Sequence, residues 1–326
     1  IRKLVLLIFL FPVFALAETT STLTIYAPDY FISEWGPGPK IKEAFERKCS
    51  CNLKYVSGDP LSKLKLEGKS TRADILIGLS SDQILKARKL NLFDKINFDF
   101  SLPQLPINWK DPTFLPFDWS YVSFIYDNTK IKNPPKTFIE LANDPRDYKI
   151  IIQDPRTSPS GLALILWIKS IYGDEAFDIW SKLSSKILTV TKGWSESYGM
   201  FTSGEAEMVL SFITSQAYHE IAENDKTKTA LIMNEGHYVY VELAAKVNKE
   251  ENKDLSNQFM EFVLTNEFQK IIPLSNWSFP VNLPEENWPI GFQNLPKPEK
   301  SIFINEDNSA EIRILAIEEW LEAMTK

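Results

Sequence analysis

Residues 113–127 read Thr-Phe-Leu-Pro-Phe-Asp-Trp-Ser-Tyr-Val-Ser-Phe-Ile-Tyr-Asp and show no helical period. A second stretch of this kind, Gly-His-Tyr-Val-Tyr-Val-Glu-Leu-Ala-Ala-Lys-Val, occupies residues 236–247. Their β-branched and aromatic residues favour extended strands. Because the two stretches flank a complete series of alternating strands and helices, we expect both to cross between two lobes of the protein.

Short apolar strands alternate with helical patterns on both sides of residues 113–127. Before this stretch, strands are predicted at residues 23–26, 52–57 and 73–78, and helices at 40–47, 60–67 and 82–89. After it, strands are predicted at 149–153, 187–191 and 207–212, and helices at 161–172 and 177–183. Further helices are predicted at 255–264, capped by Asp254, and at 310–324, after Asn308. Such alternation indicates a parallel sheet covered on both faces.

The predicted fold class is therefore α/β, with two α/β lobes joined by two β-strand crossings and a ligand cleft between the lobes. Lobe 1 is expected to comprise residues 18–118 plus 245–326, and lobe 2 residues 119–244. The length of 326 residues agrees with this division, because a single hydrophobic core seldom grows beyond about 250–300 residues.

Composition narrows the class of ligand. The chain is 44% hydrophobic and 24% charged, which is typical of a globular protein. Its formal net charge of -7 and its pI near 5.2 argue against nucleic acid, whose phosphates need a basic surface. Aromatic residues make up 13% of the chain and include 9 Trp, more than a core of this size needs. Some of these rings are therefore expected to bind a ligand.

The first residues predict export. Arg2 and Lys3 precede an apolar run at residues 4–17, which ends in the small-residue cleavage pattern Ala15-Leu16-Ala17. The run is too short for a membrane span, which needs about 20 apolar residues. We therefore expect residues 1–17 to be a signal peptide, and the mature protein to be soluble in the periplasm without stable membrane insertion.

The two cysteines, Cys49 and Cys51, are separated by one residue. In an oxidising compartment such a pair favours a disulfide, although the small ring leaves two free thiols as the alternative. With His219 and His237 the only histidines, the spacing of a zinc cluster is missing. We therefore predict neither a metal site nor a cofactor.

Several short motifs, taken in their order along the chain, resemble those of a known protein family. In chain order they are Glu34-Trp35-Gly36-Pro37-Gly38-Pro39, Phe117-Asp118, Asn133-Pro134-Pro135, Gln153-Asp154-Pro155-Arg156-Thr157-Ser158, Thr191-Lys192-Gly193-Trp194-Ser195-Glu196, Glu235-Gly236-His237-Tyr238 and Asn276-Trp277. Together with the Cys-x-Cys pair they resemble the family of periplasmic thiamine-binding proteins of ABC-type thiamine importers. The resemblance implies a type II periplasmic-binding-protein fold, capture of thiamine and its mono- and diphosphate esters, and delivery to a membrane permease. We expect a carrier that diffuses in this way to be a monomer and not an enzyme.

The thiazolium cation and the aminopyrimidine of thiamine need aromatic faces. Trp194 follows the predicted strand that ends at Thr191, at the carboxyl edge where open α/β sheets bind ligands, and Trp277 lies in a polar loop. Tyr218 and Ser215 follow the strand that ends at Phe212, so they and Phe212 are further candidates. By position Trp194, Tyr218 and Trp277 match binding positions of the family. Packing beneath a loop and helix capping are the alternative roles of these residues. Phe212 stands where the family commonly has Tyr.

The remaining candidates concern the phosphate and the carboxylates. Ser158 and Pro159 open a predicted helix, whose free N–H groups favour an anion, although Ser158 as a simple helix cap is the alternative. Asp59 is a candidate for the aminopyrimidine or the cation, with an N-cap before Pro60 as its alternative role. Trp35 is a further aromatic candidate, and Asp29 and Glu34 beside it are weaker ones.

Three other functions stay open at this point. A thiaminase I-like enzyme would need a Cys nucleophile, and only Cys49 and Cys51 are present. A ferric iron carrier uses paired tyrosines, and the sequence contains no adjacent Tyr-Tyr pair. A polyamine carrier would use carboxylates and rings, as a thiamine carrier does.

Overall fold

The computed structural model describes residues 21–304 and 306–325. The predicted signal peptide at residues 1–17 lies outside the described residues. Over the described ranges, no helix is long and apolar enough to cross a membrane.

Strands and helices alternate in this part of the chain, as the sequence predicts. The strands are β1 (Thr22–Ala27), β2 (Asn52–Ser57), β3 (Ile75–Ser80), β4 (Phe114–Asp127), β5 (Ile150–Gln153), β6 (Ile187–Thr191), β7 (Met208–Phe212), β8 (Lys228–Ala230), β9 (His237–Lys246), β10 (Phe279–Pro280) and β11 (Ser301–Ile302).

The helices pack around these strands. They are α1 (Asp29–Ile32), α2 (Gly38–Cys49), α3 (Pro60–Glu67), α4 (Ile84–Arg88), α5 (Phe138–Asn143), α6 (Pro159–Tyr172), α7 (Ala176–Leu183), α8 (Trp194–Thr202), α9 (Thr214–Ala222), α10 (Lys253–Val263), α11 (Asn266–Gln269), α12 (Ile290–Gln293) and α13 (Glu306–Thr325). Helix α8 is not anticipated by the sequence pattern, because its Ser and Gly residues are poor helix formers. The predicted cap at Asp254 is wrong, since Asn252 occupies the N-cap position of α10.

The sheet is mixed rather than parallel throughout, which corrects the prediction. Its main strand order is β2-β1-β3-β9-β4-β7-β5-β6. β1 runs parallel to β2 and β3, and β5 runs parallel to β6 and β7. The long strands β4 and β9 pair antiparallel with each other, and β9 also pairs antiparallel with β3. The two parallel groups are therefore joined through β4 and β9.

Strand β4 changes partners halfway along its length. Residues from Phe114 to Tyr121 pair with β9, and residues from Val122 to Tyr126 pair with β7. Nearly all of β4 is buried, which explains why its sequence lacks a polar face. Strand β4 thus contributes side chains to the cores of both parallel groups of strands, as expected for a strand that crosses between lobes.

Aromatic residues fill the cores of the two parallel groups. Phe45 of α2 contacts Phe259 and Phe262 of α10, at centroid separations of 5.0 and 5.3 Å. In the other group Phe138 lies edge-on to Trp167 at 4.7 Å. Burial of each such ring contributes about 2–3 kcal/mol. Each parallel group of strands has a core of its own, and a third cluster, which includes Leu76 of β3 and Val209 of β7, is shared by both groups.

The lobe boundaries stay a prediction. One observation bears on the chain after residue 245: α13 packs against α6 and α7, where its Trp320 is buried with Trp167 and Trp180. We therefore propose that α13 moves with residues 119–244, although it follows them in sequence.

The disulfide prediction is confirmed. Cys49 and Cys51 are bonded at the end of α2, and their Cα atoms are 5.1 Å apart. Ser50 between them has φ of 51°, a left-handed conformation that ends the helix.

Candidate functional site

The carboxyl ends of β5, β6 and β7 lie at one edge of the sheet, because β5 is parallel to both neighbours. Trp194 follows β6 as the first residue of α8 and is 36% exposed. Its indole N–H donates to Ser211 Oγ on β7 at 2.8 Å. Its ring stacks on Tyr198 one turn along α8, with centroids 4.6 Å apart and planes 19° apart. The orientation of the indole is thus fixed from its edge and from one face.

Ser215 lies in the first turn of α9, directly after β7, and is buried. Its hydroxyl is 2.8 Å from the hydroxyl of Ser211. The indole N–H of Trp194, Ser211 and Ser215 therefore form one hydrogen-bonded chain. Phe212, at the end of β7, packs instead against Tyr240 of β9 at a centroid distance of 5.1 Å.

Tyr218 and Trp277 meet although they are far apart in sequence. Their rings are edge to face, with centroids 5.0 Å apart and planes 86° apart. Trp277 has φ of 53°, a left-handed conformation that is uncommon for a residue other than glycine. Such a backbone costs about 1–3 kcal/mol and is found where a side chain must be placed for function.

A hydrogen-bond network links these two pairs of rings. Tyr198 Oη is 2.8 Å from His219 Nε2, and His219 Nδ1 is 2.6 Å from Glu223 Oε2. The hydroxyl of Tyr218 donates to Glu223 Oε1 at 3.1 Å. Burial raises the pKa of Tyr198, so its phenol stays protonated. We call the four rings of Trp194, Tyr198, Tyr218 and Trp277 the aromatic cluster.

The start of α6 provides the candidate anion site. Ser158 is buried at the N-cap position, yet its side chain makes no capping bond to the helix backbone. Its hydroxyl lies 2.9 Å from that of Ser160, which donates to Gln153 Oε1 at 2.8 Å. Gly161 lets the chain pass closely here, since a Cβ atom would come within 2.4 Å of the Gln153 carbonyl oxygen. The exposed Pro159 is the first residue of the helix.

The anion site and the aromatic cluster are connected. The side-chain amide of Gln153 donates to Ser197 Oγ, and Ser197 donates to the carbonyl of Trp194 at 2.9 Å. The structure therefore brings Ser158, Trp194, Ser215, Tyr218 and Trp277 into one region at the sheet edge.

Two predicted site residues lie on the other parallel group of strands. Trp35 follows α1 and is 67% exposed. Asp59 follows β2 and caps α3, accepting a hydrogen bond from the backbone N–H of Ser62 at 2.6 Å. Among the described contacts, none links Trp35 or Asp59 to the aromatic cluster. The capping role weighed for Asp59 is thus observed, and its role toward a ligand stays a prediction.

A buried pair of acids was missed from the sequence. Asp118 of β4 and Glu242 of β9 are register partners, and the side-chain amide of Asn276 donates to both, at 2.5 and 2.7 Å. Tyr30 donates to Glu242. Burial raises the pKa of Asp118 well above its usual range, and the facing Glu242 raises it further. Burial raises the pKa of Glu242 too. Charged residues inside otherwise apolar strands were the available signal.

One group of side chains in the described part of the chain has the spacing of metal ligands. Ligand atoms of His219, Glu223 and Asp225 lie within 4.8 Å of one another. These atoms already have partners, because His219 contacts Glu223 and Asp225 accepts from the backbone and the hydroxyl of Thr227. We assign no metal to them.

The mixed α/β sheet places its candidate site where α/β folds commonly bind ligands, and the comparisons with known proteins give the class. The model of the family described as "Bacterial extracellular solute-binding protein" matches residues 70–311 of the chain. A solved periplasmic thiamin binding protein is 40% identical, with a TM-score of 0.88 over 95% of this chain and 98% of that chain. Iron-bound HitA from Pseudomonas aeruginosa, at 19% identity, has a TM-score of 0.73 over 93% of this chain and 99% of its own. At that identity HitA supports the fold alone.

Curated relatives narrow the family. The thiamine-binding periplasmic protein of Brucella suis biovar 1 (strain 1330) is 44% identical over 100% of both chains. That of Escherichia coli (strain K12) is 40% identical over 97% of this chain and 96% of its own. The chain belongs to the bacterial extracellular solute-binding proteins and, among them, to the family of thiamine-binding periplasmic proteins. The predicted type II periplasmic-binding-protein fold is confirmed.

Proposed function

We propose that this protein binds thiamine reversibly at the aromatic cluster and carries it to an ABC-type importer. The observation that carries the proposal is the convergence of Trp194, Tyr218 and Trp277 at one sheet edge. A cation over an aromatic face gains about 0.5–2 kcal/mol per ring, so several rings are needed for tight capture. The names of the curated relatives point to the same ligand.

The buried acids complement this choice of ligand. Asp118 and Glu242 receive hydrogen bonds from Asn276, whose neighbour Trp277 belongs to the aromatic cluster. A negative charge on this pair would favour a cationic ligand over a neutral one. Asp59 and Trp35 follow strands of the opposite parallel group, so closure of the predicted lobes would bring them toward the ligand.

Phosphate esters of thiamine are proposed as further ligands, with Ser158 and Pro159 at their phosphate end. The free N–H groups at the start of the 14-residue helix α6 favour an anion. Arg156, two residues before Ser158, is a second candidate to bind the phosphate. Its guanidinium pairs with Asp154, 2.6 Å away, which favours a role in holding the loop over one in binding phosphate.

We further propose that the protein works in the periplasm, as a monomer, without chemistry on its ligand. The bond between Cys49 and Cys51 argues against a thiaminase I-like mechanism, because a disulfide sulfur is not a thiolate nucleophile. The chain contains no other cysteine.

A competition experiment tests the choice of ligand. Thiamine, its monophosphate and its diphosphate should each quench the tryptophan fluorescence of the purified protein, and mass spectrometry should recover thiamine unchanged. Spermidine and ferric ion should not compete. Displacement of thiamine by either, or accumulation of a free pyrimidine product, would contradict the proposal.

A further inference from the structure

His219 is a buried polar residue among aromatic rings. It lies on α9 and is 1% exposed. The ring of Tyr198 stacks on it with centroids 5.8 Å apart, and the ring of Tyr218 meets it at 5.2 Å and 71°. The imidazole therefore sits between the tyrosine beneath Trp194 and the tyrosine that contacts Trp277.

The partners of the imidazole fix its hydrogens. A carboxylate accepts hydrogen bonds, so Nδ1 of His219 is the donor in its 2.6 Å contact with Glu223. The other ring nitrogen, Nε2, lies 2.8 Å from the hydroxyl of Tyr198 and is hydrogen-bonded to it. Tyr198 is thereby tethered through His219 to Glu223.

Glu223 holds the other tyrosine directly. Its second carboxylate oxygen accepts from the hydroxyl of Tyr218 at 3.1 Å. Its backbone is held as well, because its N–H donates to the carbonyl of His219 at the end of α9. One carboxylate thus anchors both tyrosines, Tyr218 directly and Tyr198 through His219.

We propose that His219 and Glu223 are a positioning pair for the ligand site, holding the rings of Tyr198 and Tyr218 in place and, through them, those of Trp194 and Trp277. This inference rests on the proposed function. A hydrogen bond to its hydroxyl keeps a tyrosine ring from tilting and shifting, and a stacked ligand needs rings that are held in place. Neither residue of the pair needs to touch the ligand.

The test compares two substitutions on α9 and its end. Glu223→Gln removes the charge that both tethers share. Glu220→Gln is the matched control, because Glu220 accepts from Gln216 one turn earlier and, among the described contacts, from no tyrosine. Calorimetry with thiamine should show roughly tenfold weaker binding for Glu223→Gln, the size expected for loss of a hydrogen bond to a charged group. Glu220→Gln should bind as the wild type does. Unchanged affinity in Glu223→Gln would overturn the inference.

A protein that already lacks both tyrosine hydroxyls shows whether Glu223 acts through them or by a general effect on the structure. In Tyr198→Phe/Tyr218→Phe both rings remain and both hydroxyls are lost, so adding Glu223→Gln should change affinity by less than about twofold. A tenfold loss that persists in this background would show that Glu223 acts by another route.

A measurement without ligand keeps the inference apart from the proposed function. Aromatic NMR of the free protein should show shifted ring resonances of Tyr198 and Tyr218 in Glu223→Gln, because each ring moves relative to its aromatic neighbour, Trp194 or Trp277, at an unchanged melting temperature. Unchanged ring resonances would overturn the positioning role. Failure of the wild-type protein to bind thiamine would instead contradict the proposed function, whereas the ring resonances test the positioning pair without ligand.

Discussion

Asp118 and Glu242 face each other across the two crossing strands, and one side-chain amide, that of Asn276, donates to both. Two buried carboxylates this close do not both ionise, so the pair holds a proton. The pair lies where β4 and β9 join the two parallel groups of strands, and Tyr30 reaches it from α1. The strands that connect the two parallel groups therefore also contain a pair of buried acidic residues.

This pair should make the stability of the protein depend on pH. The raised pKa means that the folded protein binds the proton more tightly than the unfolded chain, whose carboxyls titrate near pH 4. The free energy of unfolding should therefore fall by up to about 1.4 kcal/mol per pH unit as pH rises from about 4 to the raised pKa. Asp118→Asn should show a smaller decline, because only Glu242 then keeps a raised pKa, so its stability relative to wild type should improve with pH.

Urea denaturation at a series of pH values measures the difference. Asp178→Asn on the exposed face of α7 is the control and should follow the wild type. Parallel curves for wild type and Asp118→Asn would contradict the shared proton.

His237 should produce the opposite slope. Burial lowers the pKa of His237 to about 4, while its unfolded value is about 6.5. Its Nδ1 donates to the carbonyl of Val122 at 2.8 Å, and its Nε2 accepts from the N–H of Met233 at 2.9 Å. As pH falls from about 6.5 to 4, His237 should remove about 1.4 kcal/mol of stability per unit. His237→Gln should lose less between these pH values, and an equal loss would refute the assignment.

Trp194→Ala and Trp277→Ala should weaken thiamine and both phosphate esters alike, because each ring serves the part that all three share. Loss of one stacked ring, about 1–2 kcal/mol, predicts roughly a fivefold to thirtyfold higher Kd. Leu66→Ala is the control, since Leu66 is 87% exposed on α3. A loss confined to the phosphate esters would remove these tryptophans from the ring site.

Ser158→Ala should act selectively on the phosphorylated ligands. Its hydroxyl lies at the start of α6 beside the backbone N–H groups proposed to hold phosphate. Loss of one hydrogen bond to a charged group predicts roughly tenfold weaker binding of the diphosphate, with thiamine little changed. Calorimetry with both ligands decides, and equal losses would remove the phosphate assignment from Ser158.

The sequence predicts where the site lies better than what supports it. Trp194 and Ser158 follow strands whose carboxyl ends share an edge, so strand prediction alone places them together. Tyr198 was missed because the helix that stacks it on Trp194 has weak helix propensity. Asp118 and Glu242 were missed because their contact depends on the register of two strands, which local sequence does not specify.

The central claim is reversible capture of thiamine, and a calorimetric titration of the purified protein with thiamine tests it most directly. We expect one molecule bound per chain with Kd below about 1 μM, corresponding to a binding free energy near -8 kcal/mol or stronger. Absence of binding heat with thiamine and with both its phosphate esters, at micromolar protein concentration, would contradict the account.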